Sequence, residues 1–445
     1  MTIFRSILIF VAVLSFAVSP AVTQSLLLDK SLLNGSTIAV VGTIDTGMNS
    51  SPNSLVINTC SANHELIYYD ENTERIRFVD GNTNNIYTDY VYLPSWDYEA
   101  VMVFDRALCK AFLVTTRFYP PMDNWIEARI HTISGHNATA TFSVNYTFNT
   151  SPNPVTDTKY SINGIALKQS ASEGNNTARI ILENTPMGTI DVVDLNATGT
   201  DSTRVQRFTY RPTVLNPWKS NAGNTLALEM KHESLALDDL TQTDLLYISD
   251  PNFVEEPGDN GYIQVFHLNQ PPQDLDATKM ISSVINLNGT WPFVNGLAGL
   301  DIAGPRDLLY IASGLQGSAQ NPDNGYLGRL RTTNHSNFSA ITLQYSDQNR
   351  VLVDWSDSNK VFVLTFDEWY NDPNQGLYLK MIYDNTVVGN LQLLKNYVST
   401  KYFRPSLAYD PALRRVYAAI NNKIYVVQEN YTEPVKNYLP LVIRK

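Results

Sequence analysis

Two stretches of the chain are near copies. Asp244-Leu245-Leu246-Tyr247-Ile248-Ser249 leads to Asp259-Asn260-Gly261-Tyr262-Ile263, and Asp307-Leu308-Leu309-Tyr310-Ile311-Ala312 leads to Asp323-Asn324-Gly325-Tyr326-Leu327. The first halves are offset by 63 residues (244 to 307) and the second halves by 64 (259 to 323). Each copy joins a short apolar strand to a second strand across a polar connection. One such unit cannot bury its apolar faces alone, so a fixed period points to copies stacked against one another.

The template extends along the chain. Ser406 to Asp410, Arg415 to Ile420 and Lys423 to Val427 make the last unit. Arg350 to Trp355, Lys360 to Phe366, Gly376 to Met381 and Asn390 to Leu394 make the one before. Going backwards come Gly299 to Ile302, Asp307 to Ala312, Gly325 to Leu330 and Ala340 to Tyr345; then Ser234 to Asp238, Asp244 to Ser249, Gly261 to Leu268 and Ile281 to Leu287. Two further units follow: Ile162 to Lys168, Thr177 to Leu182, Gly188 to Val193 and Arg204 to Tyr210; and Ala100 to Phe104, Lys110 to Thr115, Trp125 to Ile130 and Thr139 to Tyr146. The first unit reads Thr37 to Val41, Ser54 to Asn58, Glu65 to Tyr69 and Ile76 to Val79. Second strands fall near residues 55, 112, 180, 247, 310, 362 and 417, which is seven units spaced 52 to 68 residues apart. Third strands often open with glycine (Gly188, Gly261, Gly325, Gly376), read as positions needing positive φ. Short strands at regular spacing around turn signals, four per repeat, predict an all-β, seven-bladed β-propeller of four-stranded antiparallel blades. No long stretch has helical periodicity.

At repeat level the pattern resembles the propeller family that includes the YVTN, NHL and WD-repeat types, from Thr37 to Arg444. The dipeptide and histidine signatures of the WD type are absent. The resemblance implies a fold and carries no function across. Ring closure is left between two candidates for the outer strand of the last blade, Asn437 to Ile443 or Ser25 to Leu28.

Arg5, the apolar run Ile7 to Val18 and the small residues at Ser19-Pro20-Ala21 read as a secretory signal. The run is shorter than the ~20 residues a span needs. The expected organisation is a signal over 1–21, a lead-in over 22–36 and the propeller over 37–445, with no membrane span after signal removal and a secreted or cell-surface address. A net charge of -11 argues against nucleic acid as a partner. The two cysteines, Cys60 and Cys109, could bridge in an exported chain. The register above places them at opposite ends of neighbouring blades, so two unpaired thiols are expected.

In a propeller, the loops joining strands one to two and three to four share one face. Loops joining two to three, and each fourth strand to the next blade, share the other. Eleven N-x-[ST] sequons occur. Asn137, Asn175, Asn196, Asn334, Asn337 and Asn430, with Asn49, map to the first face, and none lies in a two-to-three loop. The sequon-free loops are long and rich in acids and aromatics. They carry Asp250, Phe253, Glu255, Glu256, Asp259, Asp323, Asp367, Glu368, Trp369 and Asp372. Long loops on a rigid scaffold are where binding residues concentrate. Acids beside aromatic rings suit a cation, a basic segment or a sugar stacked on a ring. The same residues also serve as ordinary turn formers. Asp259-Asn260-Gly261 and Asp323-Asn324-Gly325 hold oxygen donors beside a glycine, as calcium loops do, but lack the alternating ligands and the closing Glu. No cofactor is expected, and calcium is the one ion these loops would suit.

The six histidines are scattered, and His131 and His136 read as surface residues. No G-x-S-x-G, phosphate loop or paired-cysteine motif is present. Three functions stay open. The leading one is an exported, glycosylated, non-enzymatic binding module for an extracellular protein or glycan. The second is a propeller enzyme, a hydrolase or lyase acting on a polysaccharide or small molecule through acids at the axial funnel. The third is a structural component of a surface layer.

Overall fold

Runs such as Leu66-Ile67-Tyr68-Tyr69, Lys360-Val361-Phe362-Val363-Leu364 and Arg415-Val416-Tyr417-Ala418 are β-branched and aromatic. They suit a pleated sheet buried on both faces. In the computed structural model these runs are central strands, and the strand Gly376–Tyr383 is buried along its whole length. The structure describes residues 37–93, 97–118, 126–134, 141–149, 162–168, 178–184, 189–195, 202–209, 235–238, 245–250, 262–268, 281–286, 297–303, 307–313, 326–336, 338–343, 347–354, 356–357, 359–367, 376–395 and 406–432.

The chain divides into two units. One is the strand-built body, Ile38–Glu429; the other comprises Met1–Thr37 with Asn430–Lys445. Within the second unit, Asn430 N donates to Thr37 O at 2.8 Å.

The body begins with β1 (Ile38–Asp45). Blade one is then β2 (Pro52–Asn58), β3 (Glu65–Asp70), β4 (Arg75–Val79) and β5 (Ile86–Tyr92). Blade two is β6 (Asp97–Asp105), β7 (Lys110–Phe118), β8 (Ile126–Ser134) and β9 (Thr141–Asn149). Blade three is β10 (Ile162–Lys168), β11 (Ala178–Asn184), β12 (Thr189–Leu195) and β13 (Ser202–Thr209). Blade four is β14 (Leu235–Asp238), β15 (Leu245–Asp250), β16 (Tyr262–His267) and β17 (Ile281–Asn286). Blade five is β18 (Leu297–Ala303), β19 (Leu308–Ser313), β20 (Tyr326–Arg331) and β21 (Ser339–Thr342). Blade six is β22 (Asp347–Val353), β23 (Lys360–Asp367), β24 (Gly376–Tyr383) and β25 (Thr386–Lys395). Blade seven is β26 (Ser406–Asp410), β27 (Arg415–Ile420) and β28 (Lys423–Glu429), completed by β1. Every sheet is antiparallel and four-stranded, and the seven form the ring of a β-propeller.

Six of the seven units sit in the register read from the sequence. The first is displaced by one strand. Thr37 to Val41 does not open blade one; it lies at the start of β1, which pairs with β28 from Ile38↔Glu429 to Asp45↔Lys423. Neither closure candidate, Asn437 to Ile443 or Ser25 to Leu28, supplies the outer strand of blade seven. The slip also corrects the cysteines. Cys60 lies in the β2–β3 turn and Cys109 in the β6–β7 turn, equivalent turns of neighbouring blades. They form a disulfide with Cα atoms 5.8 Å apart.

The core lies in the seams between blades. Tyr68, Leu66 and Ile57 of blade one meet Tyr417, Ala419 and Val426 of blade seven. Tyr69, Phe78 and Ile67 meet Leu113 and Ile133 of blade two. The same face-to-face packing recurs between blades two and three, three and four, four and five, and five and six. Between blades six and seven, Phe362 packs on Tyr409 with ring centroids 4.8 Å apart. A fully buried aromatic of this kind stabilises the fold by about 1.5–3 kcal/mol. The Tyr417 hydroxyl donates to Gly81 O at 3.3 Å, so its polar end is satisfied across the seam.

Gly376 is needed for a reason other than positive φ. Its position at the head of β24 faces the bulged strand β25, and a Cβ there would lie 2.3 Å from Leu394 O. Gly188, Gly261 and Gly325 lie outside the described residues. His131 is not a surface residue: it is fully buried in β8, with Nε2 2.7 Å from Thr115 Oγ1. His136 lies outside the described residues.

Candidate functional site: the mouth of the ring where the inner strands begin

The inner strands of five blades are bulged near their first residues. Pairing with the second strand skips Ser54 in β2, Glu99 and Ala100 in β6, Asn163 in β10, Ala298 in β18 and Asn349 in β22. Blades four and seven have shorter inner strands that begin beyond this point. A bulge adds a residue without a ladder partner and re-aims the chain, and bulges concentrate at rims beside binding sites. All five occur at the same end of the ring, the face served by the two-to-three connections.

The mouth is braced between blades. Ser54 has φ of 50° and is buried, and the next amide, Leu55 N, donates to Ser406 Oγ of blade seven at 2.9 Å. Ser406 opens β26, so the inner strand of blade seven supplies a hydroxyl where blade one has its bulge. At the opposite end, Val353 N of blade six donates to Asp301 Oδ2 of blade five at 2.7 Å. Such ties hold neighbouring inner strands at fixed spacing around the axis.

Of the loop residues singled out from sequence, Asp250 and Asp367 are described. Each is the last residue of its second strand, paired with Tyr262 and Gly376 respectively. They therefore occupy the same position in blades four and six, on the same face as the bulges. Phe253, Glu255, Glu256, Asp259, Asp323, Glu368, Trp369 and Asp372 lie outside the described residues. So do Asn137, Asn175, Asn196 and Asn337; Asn334 and Asn430 are exposed. Asn49 changes face with the corrected register. It is exposed in the connection from β1 to β2, on the side of the two-to-three loops. Among the described residues no group of three or more His, Cys, Asp or Glu is placed to hold a metal ion.

Acids that sequence reasoning did not single out stand at the same mouth by strand position: Asp97 and Glu99 in β6, and Asp347 at the head of β22. A usable signal did exist. Phe104-Asp105-Arg106-Ala107-Leu108-Cys109-Lys110 and Tyr409-Asp410-Pro411-Ala412-Leu413-Arg414-Arg415 are equivalent first hairpins. In both, the aspartate Oδ1 accepts two backbone amides: Ala107 N and Leu108 N at 2.8 and 2.9 Å, Ala412 N and Leu413 N at 2.9 and 3.1 Å. Cys109 and Arg414 take matching positive φ of 56° and 54°. In blades two and seven this signature marks where the inner strand ends. Tyr69-Asp70-Glu71-Asn72-Thr73-Glu74-Arg75 copies the pattern one strand too late, with Glu74 at φ of 52°.

The end opposite the mouth holds a buried charge cluster. Lys360 Nζ lies 3.3 Å from Asp354 Oδ2 and 3.2 Å from Glu429 Oε2, and Arg414 reaches Glu429 Oε1 at 2.7 Å. The Tyr409 hydroxyl donates to Glu429, and burial followed by that carboxylate holds its phenol well above the usual range. These groups tie blade six to blade seven. His64 and Asp410 (3.0 Å) tie blade seven to blade one, and the disulfide ties blade one to blade two.

Fourfold antiparallel sheets, seven in a ring, with adjacent-blade cores and a closing strand from the other end of the body, decide the architecture. The chain is a repeat β-propeller. No family model matches this propeller, and no curated protein matches it. A solved structure titled streptogramin B lyase superposes on it with TM-score 0.51 at 12% identity, over 88% of this chain and 97% of that one. The Dos1 propeller superposes with TM-score 0.49 at 10% identity, over 90% and 98%. At such identity the likeness concerns the fold alone.

Proposed function

We propose that this propeller is an exported, glycosylated binding module that takes an extracellular protein or glycan at the mouth where its inner strands begin. The observation that supports this reading is the set of five bulges at one end of the ring. They coincide with the face from which the acid- and aromatic-rich connections of blades four and six depart, at Asp250 and Asp367. Long polar loops on a braced ring of short strands are a common way to build a recognition surface. Carboxylates next to Trp369 and Phe253 suit a basic segment, or a sugar ring stacked on an aromatic face. Calcium held by the Asp259 loop or by the Asp323 loop belongs to the same proposal.

A second reading rests on the same mouth. Asp97, Glu99 and Asp347 stand in the opening stretches of inner strands, and carboxylates can serve as general bases. The similar solved structure is titled a lyase. In this reading the propeller is a hydrolase or lyase acting at the funnel. A screen of the secreted chain against immobilised glycans and extracellular proteins, repeated with Trp369→Ala and Asp259→Ala, tests the first reading. Binding unchanged in both variants overturns it. Turnover of a captured glycan that is abolished by Glu99→Gln would favour the second.

A further inference from the structure

The outer half of blade one carries an arrangement that serves neither the core nor the mouth. Strands β4 and β5 pair so that Arg75 stands opposite Tyr92 and Arg77 opposite Tyr90. Side chains two apart on a strand share a face, so all four lie together. The Arg75 guanidinium sits 4.2 Å from the Tyr90 ring centroid and 4.8 Å from that of Tyr92; Arg77 sits 5.1 Å from Tyr90. Arg75 also donates to the Tyr92 hydroxyl. The two rings meet edge to face at 5.0 Å. Tyr90 is 38% and Tyr92 56% exposed.

Neither guanidinium is ion-paired with a carboxylate among the described residues, and the Nε of each is buried without a hydrogen-bond partner. Asp70, the acid whose charge Arg75 feels, accepts from Ser51 N and Thr73 Oγ1 instead. Two uncompensated cations on one small face are notable in a chain of net charge -11. Their own stacking is worth only about 0.5–1 kcal/mol each at an exposed site.

Position explains them better. Both arginines start on β4 and reach outward over the rings of β5, the outermost strand of its sheet. The charge therefore lies one strand spacing, about 4.8 Å, from where a fifth strand would pair. Strand β5, Ile-Tyr-Thr-Asp-Tyr-Val-Tyr, has no proline or lysine; its regular stretch, Tyr90 to Tyr92, is the part that an added strand would pair, and Tyr87 to Asp89 is bulged against β4. Arg75 and Arg77 are separated by two residues, about 6.7 Å along the strand. That matches the spacing of alternate side chains on an added strand.

We propose that the outer edge of blade one docks an extended acidic polypeptide segment, which adds to β5 as a fifth strand and sets alternate carboxylates against Arg75 and Arg77. Backbone pairing supplies affinity, and the two guanidiniums select an acid-x-acid pattern. This is a second site, separate from the mouth and of opposite charge preference.

The test uses fluorescence anisotropy on the full secreted chain, with a labelled peptide alternating Glu and Val and a control alternating Lys and Val. The acidic peptide is expected to bind and the basic one not. Arg75→Glu with Arg77→Glu should weaken the acidic peptide at least tenfold, with the thermal midpoint of unfolding lowered by only a few degrees as the stacking is lost. Thr88→Pro provides an independent arm: Thr88 has no residue of β4 paired to it, so proline there blocks strand addition while keeping the charge. It too should weaken binding at least tenfold. Equal binding of the two peptides, or no saturation by the acidic one up to about 1 mM, would overturn the proposal. So would a Thr88→Pro variant that binds as tightly as the parent, or a preference for an anionic polysaccharide that Thr88→Pro leaves intact.

Discussion

Replacing Lys360 by methionine removes the cation between Asp354 of blade six and Glu429 of blade seven. Asp354 and Glu429 are 1% and 2% exposed, and the ammonium lies 3.3 and 3.2 Å from their oxygens. Methionine keeps most of the aliphatic stem, so the packing loss is small and the electrostatic loss dominates. Removing one partner of a buried ion pair costs about 3–5 kcal/mol, because the other charge is left without compensation in a poorly solvated site. The two carboxylates do not suffer equally. Glu429 keeps Arg414 and the Tyr409 hydroxyl. Asp354 Oδ2 has no hydrogen-bond partner, and Lys360 is its ion-pair partner; only Oδ1 is engaged, by Ser356 N and Oγ at 2.8 and 2.7 Å. The expected cost of Lys360→Met is therefore near the lower end, about 3 kcal/mol, and falls mainly on Asp354. Asp354→Asn removes the stranded charge and keeps the Oδ1 acceptor. Added to Lys360→Met, it should recover about 2 kcal/mol, a coupling well above what independent sites show. Equilibrium urea unfolding followed by tryptophan fluorescence measures all four corners of the cycle. A Lys360→Met loss below about 1 kcal/mol, or additive effects of the two changes, would refute the view that this cluster fastens blade six to blade seven.

The disulfide closes a loop of 49 residues, so reduction should cost about 4 kcal/mol on the chain-entropy model. Peptide mapping without reduction should recover Cys60 and Cys109 linked, and two alkylatable thiols would contradict this. Ile44 is 4% exposed where β1 joins the core of blade one, so Ile44→Asp should loosen the ring and speed proteolysis within β1. Burial lowers the Lys380 ammonium to about 8 from 10.5. The unfolded chain then holds that proton more tightly than the folded one. Stability should accordingly rise as pH goes from 8 towards 10.5, and below 8 the fold carries the full penalty of a buried charge. Lys380→Met should stabilise the protein at pH 7 and flatten that rise relative to the parent; identical slopes would sink the idea. Gly376→Ala should cost more than 2 kcal/mol, since the new methyl meets Leu394 O at 2.3 Å against backbone that cannot rotate away.

Most of the architecture could be read directly from residue order. Hairpins such as Asp410-Pro411-Ala412-Leu413 join strands only a few residues apart, and the turn chemistry and the period-two pattern both sit in one short window. The part that escaped was the frame of the first blade. Tyr69 to Arg75 imitates a first hairpin in a second turn, and β1 is as apolar as any opening strand. The hairpin signature of blades two and seven is copied at Tyr69 to Arg75, so in blade one it does not tell a strand that begins one sheet from a strand that ends another. The misplacement of Cys60 relative to Cys109 and of Asn49 relative to the loop face followed from that single slip. Loop composition singled out the end of the ring at which the inner strands are also bulged. The bulged openings did not show, because a bulge is defined by pairing and not by residue type.

Amino-acid order alone was enough for seven units, four strands in each, and two-sided burial of the middle strands, since these depend on neighbours within about sixty residues. Closure depended on the folded ring. Ile38 pairs with Glu429, and no local preference selects a contact between opposite ends of the body. In the folded ring β26, β27 and β28 make three strands of the seventh sheet, and β1 supplies the fourth. The Cys60–Cys109 bridge and the face of the blade-one loops followed from that last pairing.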